Sequence, residues 1–324
     1  MSGLDLVRTN LLSPIVLAFA LGIVARLVRS DLHIPDQLYS ALSIYLLLAI
    51  GLQGGAELSH TSLAAFWAPA LATFAIGIAI PCWSYAILRG LGSFGVADAA
   101  ALAAHYGSVS AVTFSASLTF LDGLQVPHEG FMPTLVAFLE VPAIVVALLI
   151  ARTKMAGDTP GASSWGEVLH ELLAGKSILL LVGGLVIGYL SGEAGLAQVA
   201  PLFVAPFKGA LVLFLLELGM VAAGRFGDLR SAGLFLVGFG VLMPIIHGAV
   251  GVALGTFAGL SLGGSFVLGV LAASASYIAA PAAVRIALPQ ANPGYYLTAS
   301  LAITFPFNLA VGLPIYYAFA QWLH

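Results

Sequence analysis

Two stretches of this chain decide its fold: GSVSAVTFSASLTFLDGLQVP at 107–127 and ASASYIAAPAAVRIALPQANP at 273–293. They align without a gap, and the alignment pairs identical residues: Ser108 with Ser274, Ser110 with Ser276, and Pro127 with Pro293. Each stretch begins with small and polar residues inside an apolar surrounding. The alignment predicts that the chain contains the same structural unit twice.

The composition is that of a protein whose solvent is lipid. Hydrophobic residues make up 60% of the 324 residues and charged residues only 8%, whereas soluble proteins are about 25% charged. The mean hydropathy of +1.06 agrees. The net charge of -3 gives no basic face for nucleic acid, and the single cysteine, Cys82, excludes a disulfide framework.

Ten segments are long and apolar enough to cross a bilayer, which needs about 20 such residues. The first five are 11–28, 38–55, 64–88, 98–121 and 131–151, and the second five are 174–192, 203–222, 232–258, 265–287 and 295–320. The sequence therefore predicts an all-α integral membrane protein with about ten transmembrane helices.

The similarity between the halves extends beyond the two opening stretches, because Gly51 aligns with Gly219 and Pro81 with Pro244 in the same order. Each half has five predicted spans. Because five is an odd number, the first half ends on the side opposite to where it began, and the second copy enters the membrane from that opposite side. We expect a first five-helix repeat at 1–152, a cytoplasmic linker at 153–173 and a second, inverted five-helix repeat at 174–324. Inverted repeats are typical of secondary transporters.

Basic residues predict the orientation, because Lys and Arg are enriched in cytoplasmic loops. The odd-numbered loops hold nine of the eleven Lys and Arg residues: Arg26, Arg29, Arg89, Arg152, Lys154, Lys176, Arg225, Arg230 and Arg285. The opposite side holds only Arg8 and Lys208. Both termini are therefore expected outside the cytoplasm.

The paired polar runs are the candidate anion site. Loosened helices near the middle of the membrane offer free N–H groups, and hydroxyls add further donors for a small anion. The candidate residues are Gly107, Ser108, Ser110 and Ala111 in the fourth span and Ser274, Ser276 and Tyr277 in the ninth. The alternative for any one serine is helix–helix packing.

Two acidic residues, Glu140 and Glu217, lie within predicted spans, where a carboxylate is costly unless it is paired or hydrated. The tenth span, which aligns with the region around Glu140, is also polar and interrupted by proline. We expect sodium, as the coupling ion, to bind oxygen atoms of Glu140, Thr113, Thr304 and Asn308. The alternatives are that Glu217 is interfacial, or that either acid is protonated and hydrogen-bonded.

The sequence contains no HExxH, no phosphate-binding GK[ST] loop and no Cys/His cluster, so neither an enzyme nor a cofactor is expected. Transport would use an ion gradient or the gradient of the substrate.

The segment LGVLAASASYIAAPAAVRIALPQANPGYYLTASLAITFPFNLAVGLPIYY at 268–317 resembles the sodium-dependent bicarbonate transporter family known from cyanobacteria. The stretch at 107–127 and Glu140-Val141-Pro142-Ala143 resemble it too. The most specific part is Pro289-Gln290-Ala291-Asn292-Pro293-Gly294-Tyr295-Tyr296, and the resemblance covers nearly the whole chain.

This resemblance implies symport of sodium and bicarbonate into the cytoplasm across a bacterial inner membrane. It also implies a trimer, core and gate domains and, in cyanobacterial members, a soluble PII-like regulator. Gly107, Ser110, Thr113, Ser274 and Ser276 match its polar runs, and Glu140 matches an acidic position.

The chain departs from the photosynthetic members at three places. Tyr277 replaces an aspartate, Val112 a serine and Asn308 a small residue. Two alternatives therefore stay open: symport of another small anion such as a carboxylate, and a membrane sensor that binds an anion without transporting it.

Overall fold

The fold is helical throughout the part of the chain that the structure, a computed structural model, describes: residues 3–155 and 165–324. The first half contains α1 (Gly3–Leu11), α2 (Pro14–Leu27), α3 (Asp36–His60), α4 (Leu63–Gly90), α5 (Val96–Gly107), α6 (Ala111–Leu124) and α7 (Met132–Lys154). The second contains α8 (Trp165–Ala174), α9 (Lys176–Phe203), α10 (Phe207–Gly224), α11 (Leu229–Phe257), α12 (Leu262–Ala273), α13 (Ala279–Ala287) and α14 (Pro293–Leu323).

Within those described residues, seven helices are long and apolar enough to cross a membrane: α3, α4, α7, α9, α10, α11 and α14. Helices α1 and α2 meet at 59° and make an eighth span if they count as one. The prediction of an all-α membrane protein is therefore confirmed.

The predicted spans at 98–121 and 265–287 are each divided into two helices. The first corresponds to α5 and α6, and the second to α12 and α13. Helices α5 and α12 have 12 residues each, which is about 18 Å and short of the roughly 30 Å hydrocarbon core. The total of ten spans accordingly stays a prediction.

The predicted end of the sixth span at 192 falls on a bend inside α9. Gly192 has a left-handed backbone (φ 59°) there, and the helix then continues to Phe203. Helix α8 lies within the predicted linker 153–173, of which residues 156–164 lie outside the described residues.

The most extensive contacts between the halves are made by two helix pairs, α3 with α9 and α10 with α2. A Cβ atom on Gly51 would overlap the carbonyl oxygen of Leu181 in α9. A Cβ atom on Gly219 would likewise overlap the carbonyl oxygen of Phe19 in α2. The two glycines that align in the sequence thus permit the close approach of equivalent pairs.

The last helix, α14, is widened twice, because Thr298–Thr304 and Asn308–Gly312 are π-helical. Such segments are rare and frequently occur at functional sites. Asn10 contacts the second segment from α1, and its Nδ2 donates to the carbonyl oxygens of Leu309 at 2.7 Å and Ala310 at 3.1 Å. Helix α14 is therefore tied to the other half of the chain.

Candidate functional site

The breaks in the two divided helices lie against each other. The backbone N–H of Ser110, at the start of α6, donates to Oγ of Ser274 at 3.0 Å. The backbone N–H of Ser276 donates in return to the carbonyl oxygen of His105 at 2.8 Å. These four residues belong to the two aligned halves, so the structure brings the predicted polar runs together.

The first break arises from local sequence. Ser108 is extended (φ -85°, ψ -176°), and the hydroxyl of Ser110 accepts the backbone N–H of Thr113 at 3.1 Å, which is an N-cap for α6. Gly107 is needed at the end of α5, since a Cβ atom there would overlap the Pro81 ring. Serine and glycine together therefore end one helix and begin the next.

The second break is longer and spans residues 274–278. Helix α13 begins after Ile278 without a side-chain cap on that residue, and the hydroxyl of Ser276 accepts the N–H of Ala280 at 3.2 Å. Pro281 has no N–H to satisfy in this first turn.

A cavity of about 10 Å³ lies where the breaks meet α3, α7 and α9. Its lining residues are Leu47, Val109, Ser110, Ala111, Glu140, Ser177, Tyr277 and Ile278. This volume is close to that of a single water molecule. We call the place where the two breaks, 108–110 and 274–278, lie against each other the crossing. An anion of several atoms therefore requires the crossing to move away from α3, α7 and α9.

Glu140 is the only acidic residue in the lining of this cavity. Its side chain is buried, with 5% relative exposure for the residue. Within the described residues its carboxylate makes no hydrogen bond or ion pair, and only its backbone oxygen accepts a bond, from the hydroxyl of Ser108 at 3.4 Å. A carboxyl group buried without a partner is stable either when it is protonated or when it binds a cation.

Tyr277 closes the cavity on the side of the second break. The hydroxyl of Ser110 donates to the Tyr277 hydroxyl at 3.2 Å. The Tyr277 ring packs edge-on against Phe305 at 5.5 Å between centroids. The Tyr277 hydroxyl therefore accepts a hydrogen bond from a serine that the sequence predicts as an anion ligand.

Three predicted sodium ligands, Thr113, Thr304 and Asn308, do not line this cavity. The Thr304 hydroxyl donates at 2.7 Å to the carbonyl oxygen of Gly240, which lacks its helical partner because Pro244 has no N–H. Asn308 Nδ2 donates to the Ala273 carbonyl oxygen at 2.9 Å, at the end of α12. Thr304 and Asn308 thus each donate to a backbone carbonyl oxygen that has no helical partner.

Four cavity residues were not among the sequence candidates: Leu47, Val109, Ser177 and Ile278. Ser177 is buried at the beginning of α9. It belongs to no motif, and only the packing of α9 brings it near Glu140. A single buried serine in the first turn of a helix carries no sequence signal that would have found it.

The comparisons with known proteins agree with the resemblance drawn from the polar runs. The sequence model of the Na+-dependent bicarbonate transporter superfamily matches residues 14–321. No curated protein matches the chain significantly. Since the match covers nearly the whole chain, the protein belongs to the Na+-dependent bicarbonate transporter superfamily.

Proposed function

We propose that this chain is a secondary active transporter that carries bicarbonate or a similar small anion into the cytoplasm together with sodium. Membership of a transporter family indicates that the protein is not an enzyme. The observation that carries the proposal is the shared cavity of Glu140 and Ser110. It offers an unpaired carboxylate for a cation beside N–H and hydroxyl groups for an anion.

In this proposal the helix crossing binds the anion. The binding groups come from Gly107, Ser108, Ser110 and Ala111 at the first break and from Ser274 and Ser276 at the second. Tyr277 lies at the same site, and its hydroxyl must release the Ser110 hydroxyl when the anion binds. Helix α6 begins here, so its N-terminal N–H groups and dipole favour negative charge. Sodium at Glu140 neutralises the carboxylate that would otherwise repel the anion, which is a physical reason for coupling the two ions.

The ten-span inverted repeat is also part of the proposal, with repeats at 1–152 and 174–324. The equivalent roles of Gly51 and Gly219 in the α3–α9 and α2–α10 pairs support it. Two similar halves give two similar states, open to opposite sides. The basic loops support termini outside the cytoplasm, and an inner bacterial membrane, a trimer and a PII-like regulator are proposed from the resemblance.

Uptake of labelled bicarbonate into proteoliposomes tests the function directly. We expect accumulation with an inward sodium gradient and little without it. Equal uptake in both conditions would exclude sodium coupling. If no bicarbonate enters, small carboxylates are the next substrates to measure, and counterflow of any of them would exclude a sensor that does not transport.

Glu140→Gln tests the cation half of the site. We expect this variant to lose most of its sodium stimulation, by about tenfold, because one carboxylate contributes a charge-assisted contact, while anion affinity changes less. Glu193→Gln is the matched control, since Glu193 is an exposed acid 4.0 Å from His60. Equal sodium stimulation in both variants would remove Glu140 from the ion site.

A further inference from the structure

A second and much larger cavity, of about 740 Å³, opens between the C-terminal ends of α2 and α10. Its polar lining residues are Arg26, Arg29, Ser30, His33, Glu217 and Arg225. It shares no lining residue with the cavity at the helix crossing. It is therefore a separate feature that anion transport at the crossing does not explain.

Positive charge in this cavity is largely uncompensated. Arg26 and Arg29 are exposed and make no ion pair or side-chain hydrogen bond within the described residues. Arg225 lies 3.5 Å from Asp228. A guanidinium presents a planar fork of donors that matches phosphate oxygens, so this group of arginines is suited to a phosphate.

The arginines also lie where helix dipoles attract cations. Arg26 is in the last turn of α2, and its Nε would be 3.7 Å from a Cβ atom on Gly224, at the end of α10. A dipole alone explains a cation at each helix end. It does not explain why a cavity of this size also contains an acidic residue that none of the arginines neutralises.

That acidic residue is Glu217. Within the described residues its carboxylate has no hydrogen bond or ion pair, and its Oε2 is buried without a partner. The three arginines of the cavity are more than 4.0 Å from it, the limit for an ion pair. The cavity therefore offers a cation-binding group that is separate from its anion-binding groups, which fits a ligand carrying both charges.

The helix that carries Arg26 also exposes apolar side chains that do not line the cavity. Val24, Leu27 and Val28 are each more than half exposed in α2 and just after it. In a membrane such side chains contact acyl chains, and basic pockets at this level bind lipid headgroups. A membrane lipid is thus available at the end of α2 where the cavity opens.

We propose that this cavity binds the phosphoethanolamine headgroup of a membrane lipid, with its phosphate on Arg26, Arg29 and Arg225 and its ammonium on Glu217. Soluble phosphoethanolamine carries the same two charged groups without acyl chains. The experiment must therefore distinguish binding of the lipid headgroup from binding of soluble phosphoethanolamine.

The test is binding of defined lipids to the purified full chain in neutral detergent, followed by native mass spectrometry. Phosphatidylethanolamine is expected to bind about tenfold more tightly than phosphatidylglycerol, which has no ammonium, and phosphatidylcholine, whose quaternary ammonium cannot donate a hydrogen bond. Equal binding of the three would overturn the proposal. Soluble O-phosphoethanolamine binding as tightly as the lipid would overturn the membrane as its source.

Single substitutions test the phosphate contact and the ammonium contact of the proposed headgroup separately. Arg26→Gln is expected to weaken phosphatidylethanolamine and phosphatidylglycerol alike by about tenfold, and because Arg26 is exposed the fold should persist. Glu217→Gln should abolish the preference between these lipids. Arg285→Gln, at an exposed arginine of α13 outside the cavity, should bind like wild type. Wild-type affinity in Arg26→Gln, or an unchanged preference in Glu217→Gln, contradicts the assignment.

Discussion

The two helix breaks at the crossing have similar sequences but are stabilised differently. The first spans three residues, 108–110, and Ser110 caps its following helix by accepting the N–H of Thr113. The second spans five residues, 274–278. Ser276 caps its following helix by accepting the N–H of Ala280, and two further bonds come from other helices. Asn308 binds the carbonyl oxygen of Ala273, and His105 accepts the N–H of Ser276.

This difference indicates which break can rearrange. The short first break is bonded to the second break and to α7, and no residue of α14 supports it in these bonds. A break held by partners from α14 and α5 changes when those helices shift. We therefore expect stability to depend more on the supports of the second break, and anion affinity more on the first.

The largest effect is expected from Asn308→Ala. It would leave two buried groups without partners, the Ala273 carbonyl oxygen and the Tyr316 hydroxyl, which donates to Asn308 Oδ1 at 2.6 Å. The expected loss is about 3 kcal/mol in the free energy of unfolding, measured by thermal unfolding in detergent. The control is Gln198→Ala, at an exposed amide; equal melting temperatures for both variants would show that the second break does not depend on Asn308.

An intermediate effect is expected from the two aligned serines. Ser110→Ala should weaken anion binding by about tenfold, because the hydroxyl lines the cavity and caps α6. Ser276→Ala should weaken it by about threefold, since that hydroxyl caps Ala280 outside the cavity lining. Titration calorimetry with bicarbonate measures both, and a larger loss in Ser276→Ala would reverse the comparison between the breaks.

The smallest effect is expected from Tyr277→Phe. The ring contact with Phe305 remains, and the Ser110 hydroxyl is released from its bond to Tyr277. Anion affinity should rise about threefold. Tyr45→Phe is the control, because its hydroxyl donates to the Leu202 carbonyl oxygen, away from the cavity. A fall in affinity would mean that the Tyr277 hydroxyl itself contacts the anion.

The sequence predicted the straight helices well, since a long apolar segment must become a helix in lipid. The predicted span 64–88, for example, corresponds to Leu63–Gly90. It did not predict where the divided helices separate. The polar runs indicated loosened helix, but the bounds of each break depend on hydrogen bonds across the crossing.

Prediction from the sequence is limited in the same way for the residues of the candidate site. Ser110 and Glu140 were predicted from their own chemistry, and the structure brings them to one cavity. Thr304 and Asn308 were predicted as sodium ligands for the same reason, and that assignment stays a prediction. A sequence shows that a side chain can donate or accept a bond, whereas only the fold shows which carbonyl oxygen, here those of Gly240 and Ala273, lies within reach.

The cavity at the crossing has a consequence for the energy supply of the cell. Protons cross proteins along continuous files of water, and a space of about 10 Å³ holds one molecule rather than a file. In this closed state the crossing therefore limits proton leak at the same place where it would admit its substrate. A transporter that idles in this conformation would therefore not lose membrane potential through a file of water at this cavity.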